Sequence, residues 1–170
     1  MSLVYSYLRL PEQRLDAALA DEDEARRLMT ELRDSAWAPP STSGLGLADA
    51  GVYWDAIAFV LSHERGAGGR SLESTAERAI RGSEEPPDAE GSDWVGYSRP
   101  GDAREIAGWM QDVDILALAE PLEGELEEAE GRGDLYRLGY PEDIAEAFGR
   151  VGALYREAAE RGQAVLVLRS

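Results

Sequence analysis

The segment from Trp94 to Arg99 holds the side chains that are best suited to binding a ligand. In a regular strand, Tyr97 and Arg99 would lie on the same face, because side chains alternate along a strand. Arg99 would then offer a planar guanidinium fork to a carboxylate or phosphate. We therefore predict a small-ligand site made of Trp94, Tyr97, Arg99 and His63. The alternative, favoured by the excess of acidic residues, is that Arg99 pairs with an acid of the same protein and that the aromatic rings belong to the core.

His63 is the only histidine of the chain, and its neighbours Ser62 and Glu64 are residue types found in serine hydrolases. Such a catalytic group is defined by its geometry in space, which adjacency in the sequence does not supply. A chain with one histidine and no cysteine also lacks the usual ligands of a zinc site. We therefore predict no catalytic residue and no metal site, which favours a protein that is not an enzyme.

The glycine-rich segment 66–70 resembles a phosphate-binding loop only superficially. Phosphate-binding loops lie between a strand and a helix, whereas this segment follows a predicted helix. The P-loop lysine is missing, because the sequence contains no lysine. The dense acidic segments, such as 112–114, lack the spacing of a calcium-binding loop. The sequence therefore predicts no cofactor, and we interpret 66–70 as the end of a helix.

The formal charge of the chain is −17, because 34 Asp and Glu residues stand against 17 Arg residues. A field of this sign repels the phosphates of nucleic acids and anionic lipid headgroups, so we expect neither as a direct partner. A basic partner protein is one open explanation of the acidity; solubility and salt adaptation are the others. The sequence shows no export signal and no apolar run of the roughly 18 residues that a membrane span needs, so the expected location is the cytoplasm.

Apolar spacing and capping residues predict the order of the secondary-structure elements. The last strand, 164–168, is apolar throughout, which is typical of the middle of a sheet. The longest helix is predicted from Pro141 to Arg161, with Gly162 as its C-cap. The other predicted strands lie at 2–10 and 94–97, and the other predicted helices lie at 12–19, from 21 onward, at 49–61 and after a cap formed by Asp102 and Glu105. The segment 72–80 is a helix or an edge strand, and the acidic segment 116–130 is partly helical. The predicted loops lie at 37–44 and at 82–93, and the second of them is acidic and mobile.

The order of these elements indicates the fold class. Strands and helices do not alternate regularly, which disfavours a doubly wound nucleotide-binding fold. We predict a single α+β domain, residues 1–170, in which a small mixed sheet of N-terminal, central and C-terminal strands is covered by several amphipathic helices.

Five segments that span nearly the whole chain form a pattern. The segments are Arg9-Leu10-Pro11, Tyr53-Trp54-Asp55 with the helix that follows to Leu61, Ala79-Ile80-Arg81-Gly82, Gly96-Tyr97-Ser98-Arg99, and Leu154 to Leu166. The C-terminal one is the most specific, because an aromatic residue, two alanines, a glycine cap and an Ala-Val-Leu strand follow in that order. Together the segments resemble the YfbM-like bacterial proteins. The resemblance implies a mixed α and β domain of unknown function, without an established activity, cofactor or catalytic residue.

Two functional hypotheses follow from the sequence. The first is a non-enzymatic acidic module for protein interaction, with a regulatory or inhibitory role toward a basic partner. The alternative is a small-ligand-binding protein or a hydrolase-type enzyme with a cleft near Tyr97, Arg99 and His63.

Overall fold

A computed structural model describes residues 4–35, 45–63, 74–87, 93–135 and 139–169. Four strands form one sheet in the order β2-β1-β4-β3, and each neighbouring pair is antiparallel. The strands are β1 (Tyr5–Leu10), β2 (Gly46–Gly51), β3 (Trp94–Ser98) and β4 (Ala164–Arg169). The helices are α1 (Glu12–Ala20), α2 (Glu22–Ser35), α3 (Trp54–His63), α4 (Ser74–Arg81), α5 (Pro100–Asp112), α6 (Ile115–Ala119), α7 (Glu123–Gly131) and α8 (Pro141–Arg161), with a 3-10 turn, Glu120–Leu122, before α7.

This architecture confirms the predicted α+β domain with a small helix-covered sheet, and it adds one strand to the three that were predicted. The described part of the sheet is antiparallel throughout rather than mixed. The predicted loop 37–44 and the glycine-rich segment 66–70 lie outside the described residues. Residues 88–92 of the predicted mobile loop lie outside them as well, and the mobility of that loop stays a prediction.

Strand β1 shows why helices cover both faces of the sheet. Its side chains alternate, so Tyr5 and Tyr7 point to one face while Leu8 and Leu10 point to the other. The tyrosine face packs against α3 to α8, and the leucine face packs against α1 and α2. In β4, residues 164–168 are all buried, which confirms the prediction that this strand lies inside the sheet.

Helix α8 has the predicted bounds, Pro141 to Arg161. Pro141 begins the helix, where a missing N–H leaves no hydrogen bond unmade. Gly162 ends it in the left-handed conformation, with φ 61°, and its N–H donates to the carbonyls of Ala158 and Ala159. One side of the helix is apolar and packs on α5, α6 and the sheet, so α8 connects the helical layer to the strands.

Strand β2 occupies part of the segment for which a helix from residue 49 was predicted, so that prediction is wrong at its start. The sequence of β2 has no β-branched or aromatic residue and therefore no intrinsic strand signature. Its pairing with β1, in which Leu8 lies opposite Leu47 and Tyr7 opposite Ala48, determines its conformation. The helix begins after this strand, at Trp54.

Helices α4 and α5 settle two further predictions. The segment predicted as a helix or an edge strand is helix α4. The predicted capping of α5 by Asp102 and Glu105 is wrong, because α5 begins at Pro100 with Arg99 as its N-cap residue. Both carboxylates instead accept from the guanidinium of Arg78 on α4, each at 3.1 Å. Asp102 and Glu105 thus form ion pairs with helix α4 and do not cap α5.

Two buried tyrosines satisfy the last carbonyls of α4. The Tyr7 hydroxyl donates to the carbonyl of Ile80 at 2.9 Å, and the Tyr155 hydroxyl lies 3.4 Å from the carbonyl of Ala79. Helix ends leave such carbonyls without intrahelical partners, and buried ones need a donor from elsewhere. Burial raises the pKa of Tyr7 and of Tyr155, so both stay protonated donors across the physiological range.

Replacing Tyr7 with Phe should lower the free energy of unfolding by about 1–3 kcal/mol, because the Ile80 carbonyl would be buried without a donor. Tyr155→Phe should have a smaller effect, since its hydrogen bond is longer. Urea unfolding followed by far-UV circular dichroism measures both values, with Tyr140→Phe, at an exposed position, as the control. An equal effect of Tyr7→Phe and Tyr140→Phe would contradict this role.

Two glycines allow the end of α4 to lie directly against β3. Gly82 has φ 90°, and a Cβ atom there would lie 2.5 Å from the backbone nitrogen of Tyr97. A Cβ atom on Gly96 would lie 2.1 Å from the carbonyl oxygen of Arg81. Both contacts are with backbone, which cannot move aside as a flexible side chain can. The crossing of α4 and β3 therefore requires glycine at both positions.

Gly96→Ala and Gly108→Ala should change stability in opposite directions. Gly96→Ala forces Arg81 away from β3, and we expect a loss of more than about 2 kcal/mol in the free energy of unfolding. Gly108 lies on the exposed face of α5 with nothing within 4 Å of an added Cβ. Alanine there should stabilise the protein by about 0.5–1 kcal/mol. Urea unfolding of the two variants tests both signs.

Candidate functional site

Arg99 and Tyr97 lie on one face of the strand end, as predicted. The guanidinium carbon of Arg99 is 5.8 Å from the centroid of the Tyr97 ring. The fork of Arg99 already has acidic partners, however: one nitrogen lies 3.1 Å from Glu12 and 2.9 Å from Asp16 on α1, and Nε lies 3.4 Å from Glu84. Internal ion pairs therefore occupy the group that was expected to bind a ligand.

The electrostatics of this cluster disfavour an anionic ligand. Three carboxylates surround one guanidinium, which leaves a formal charge of −2 in the cluster. Hydrogen bonds to Asp16 and Glu12 raise the pKa of Arg99 above its usual range. Burial and a 2.9 Å hydrogen bond to Glu84 raise the pKa of Tyr97. In the structure the cluster joins α1, β3 and the segment around Glu84, and its role in binding a ligand stays a prediction.

Trp94 belongs to the core rather than to an open site. Its side chain is 8% exposed and lies in the apolar cluster between the sheet and helices α1 and α2. Tyr97 belongs to the same cluster. The aromatic residues of β3 thus fill the leucine face of the sheet, which is the alternative that the sequence left open.

His63 lies at the end of α3, on the face of the sheet opposite to α1 and its partner Arg99. Its Nδ1 is 2.9 Å from the carbonyl of Phe59 and 3.5 Å from the hydroxyl of Ser62. Because a carbonyl only accepts, the shorter hydrogen bond requires the proton on Nδ1, and a protonated Nδ1 cannot take a proton from Ser62. The Ser62 hydroxyl itself donates to the Phe59 carbonyl at 2.7 Å. Nε2 lies 3.3 Å from Glu125 on α7. The structure thus assembles neither a serine–histidine pair nor a site that joins His63 to Arg99.

Replacing Arg99 with Gln should lower the free energy of unfolding by about 0.5–1 kcal/mol, because three carboxylates would lose their shared cation. The loss should shrink at about 1 M salt, where charges are screened over roughly 3 Å. Arg104→Gln is the matched control, since Arg104 is exposed and has no ion pair among the described residues. Urea unfolding of the two variants at low and high salt gives four changes in the free energy of unfolding. A loss for Arg99→Gln that is independent of salt would contradict an electrostatic role.

The strongest local charge of the molecule lies on α6, α7 and their flanks. We call residues 112–134 the α6–α7 surface; it contains nine acidic residues and one Arg, a formal charge of −8 out of −17. Its acidic residues are Asp112, Asp114, Glu120, Glu123, Glu125, Glu127, Glu128, Glu130 and Asp134. The sequence predicts only a partly helical acidic segment at 116–130 here, and the local charge density is the signal that could have singled it out as a functional surface.

The α6–α7 surface is a firmly packed platform. Ile115 and Ala119 of α6 and Leu126 and Ala129 of α7 are buried in the core beneath it. Asp114 caps α6 by accepting from the N–H of Ala117 at 3.1 Å. The acidic side chains therefore stand on helices whose positions the core determines.

Few cations balance this surface. Arg132 lies 3.7 Å from Glu128 and 2.9 Å from Asp134, and His63 contacts Glu125. Within the part of the chain that the structure describes, Asp112, Glu120, Glu123 and Glu127 have no ion pair, and all four are exposed. Among the described residues, these four carboxylates have no cation to neutralise them.

The described residues contain no group of three or more His, Cys, Asp or Glu side chains arranged to hold a metal ion. None of the described helices has the length and apolar character needed to cross a membrane.

Comparison with known proteins identifies the family. A family model described as "Domain of unknown function (DUF1877)" matches residues 1–168. The chain belongs to the DUF1877 family. Among solved structures, this DUF1877 chain is similar to YfbM from Escherichia coli, a protein of unknown function, with 14% identity and a TM-score of 0.64 over 98% of this chain and 99% of that one. At this identity the similarity shows a shared fold, which confirms the expected YfbM-like domain. No curated protein matches the DUF1877 chain.

Proposed function

We propose that this protein is a non-enzymatic interaction module of the bacterial cytoplasm, and that it binds a basic partner protein through the α6–α7 surface. The observation that carries the proposal is the concentration of −8 charge units in 23 consecutive residues of a rigid platform. A surface of this kind steers a cationic protein toward it and accelerates association.

The acidic side chains also repel one another, and a basic partner would relieve that repulsion. Glu123 and Glu127 are four residues apart on α7, a spacing at which like charges destabilise a helix by about 0.2–0.5 kcal/mol. Glu128 and Glu130 lie in the last turn of α7, where the helix dipole disfavours negative charge. Within α7, the Glu123–Glu127 pair is repulsive and is not offset by an ion pair with a described residue. Cations supplied by a partner would turn them into attractive contacts.

The sign of the charge also selects the class of partner. Nucleic acids and anionic membranes present phosphate groups, which the same carboxylates repel. A protein or peptide segment rich in Lys and Arg presents the opposite charge. A regulatory or inhibitory role, in which the acidic surface covers a basic functional surface of the partner, fits this chemistry.

Two variants of equal net charge should distinguish the effect of the α6–α7 surface on partner binding from the effect of the net charge of the protein. The surface variant carries Glu120→Gln, Glu123→Gln and Glu127→Gln, whereas the control variant carries Asp93→Asn, Glu142→Gln and Glu160→Gln at exposed positions elsewhere. Each has three fewer negative charges than −17, hence −14. Wild type and both variants serve as baits for bacterial lysate at salt concentrations from about 0.1 to 1 M.

Basic proteins should be retained at low salt by wild type and by the control variant, and the surface variant should lose them. For a retained protein, the dissociation constant should rise about tenfold in the surface variant, because three charge pairs of about 0.2–1 kcal/mol each are lost. All of them should elute at high salt. Equal retention by the two variants, or retention that does not depend on salt, would refute the proposal.

A further inference from the structure

A cleft of ≈ 320 Å³ opens beside the carboxyl end of α4. Its volume is within the range of sites for small molecules, which begins at about 300 Å³. We infer that this cleft binds a small zwitterion, a molecule with a carboxylate and an ammonium group such as a free amino acid. The inference concerns a different part of the molecule from the α6–α7 surface and does not depend on the proposed function.

The cleft contains charges of both signs that form no ion pair with the part of the chain that the structure describes. Arg81 is exposed and makes no ion pair with any described residue. Glu77 lies one helical turn before it, at the spacing that favours an ion pair, yet the two side chains are not paired. Glu85 is the third exposed, unpaired charge of the lining. A separated cation and anion in one cleft match the two ends of a zwitterion.

The remaining cation of the cleft is already engaged. Arg78 donates to Asp102 and Glu105 on α5, each at 3.1 Å, and its side chain is largely buried. A carboxylate in the cleft would therefore bind Arg81, the lining cation that forms no ion pair with a described residue.

Hydrogen bonds to β3 hold one wall of the cleft in place, which reduces the entropy lost on binding. The N–H of Ser83 lies 2.8 Å from the Tyr97 carbonyl, and the Ser83 hydroxyl lies 3.1 Å from the hydroxyl of Ser98. Glu84 pairs with Tyr97 through two backbone hydrogen bonds of 2.9 Å. The segment that carries Ser83 and Glu85 is thus held against β3, and the Ser83 hydroxyl is placed at the cleft as a second polar contact.

The field of the protein decides which molecules of this size are accepted. A purely anionic ligand would face Glu77 and Glu85 within a molecule of charge −17. A purely cationic ligand would lie near the positive charge of Arg81 and would form no ion pair with it. A zwitterion satisfies both signs, and one with an additional basic side chain is attracted by the overall charge. Basic amino acids are therefore the expected best ligands.

Isothermal titration calorimetry of the full chain with L-arginine, L-argininamide and N-acetyl-L-arginine tests the inference. L-Arginine should bind saturably with a dissociation constant of about 1 mM or lower. The amide lacks the carboxylate and the acetyl derivative lacks the ammonium group, and each should bind about tenfold more weakly because one charge-assisted hydrogen bond is lost. No saturable binding of L-arginine, or equal affinity for all three molecules, would overturn the inference.

Substitutions in the lining of the cleft test whether L-arginine binds there. Arg81→Gln and Glu77→Gln should each weaken L-arginine binding about tenfold, whereas Arg81→Lys should retain part of the affinity. Arg104→Gln removes an exposed arginine from α5, outside the cleft lining, and should leave binding unchanged. Circular dichroism shows whether each variant is folded. Unchanged binding in folded Arg81→Gln protein would mean that the molecule binds elsewhere and would refute this site.

Discussion

Strand β1 pairs with strand β4 along its whole length, from Tyr5 opposite Arg169 to Leu10 opposite Ala164. This pairing joins the first and the last of the described strands at the centre of the sheet, so all of the described helices lie between them along the chain. Closing so long a loop costs conformational entropy, which the burial of both strands on both faces must offset. The remaining elements depend on this pair: β2 and β3 extend it sideways, α1 and α2 cover one face, and α3 to α8 cover the other.

The sequence predicted the elements whose signals are local. Helix α8 has a proline start, an apolar stripe and a glycine end, and β4 has five apolar residues in succession, so both were placed correctly. Strand β2 carries no such signal, because its conformation follows from the neighbouring β1. The cap predicted for α5 failed because the helix begins at Pro100, so Asp102 lies inside its first turn, where Arg78 of another helix pairs with it.

In the candidate sites, too, local patterns predicted some features, whereas contacts between distant residues determine others. Alternation along β3 placed Tyr97 and Arg99 together, but Arg99 meets Glu12 and Asp16, which are more than eighty residues away in the sequence. Pairing over that distance follows from the packing of α1 against the sheet and is invisible to local patterns. The cleft beside α4 likewise depends on glycines that let a helix end approach a strand. The α6–α7 surface, in contrast, is a property of consecutive residues, and composition alone indicates it.

The meeting of Tyr5 and Arg169 in neighbouring strands has a topological consequence. A short peptide joining these two positions would close residues 5–169 into a ring, and the sheet order β2-β1-β4-β3 would be unchanged. The ring could then be opened at an exposed connection between two helices, as circular permutation does in other domains with adjacent ends. The sheet thus requires β1 and β4 to be neighbours in space. Several orders of the elements along the chain would meet this requirement, and the order of this sequence is one of them.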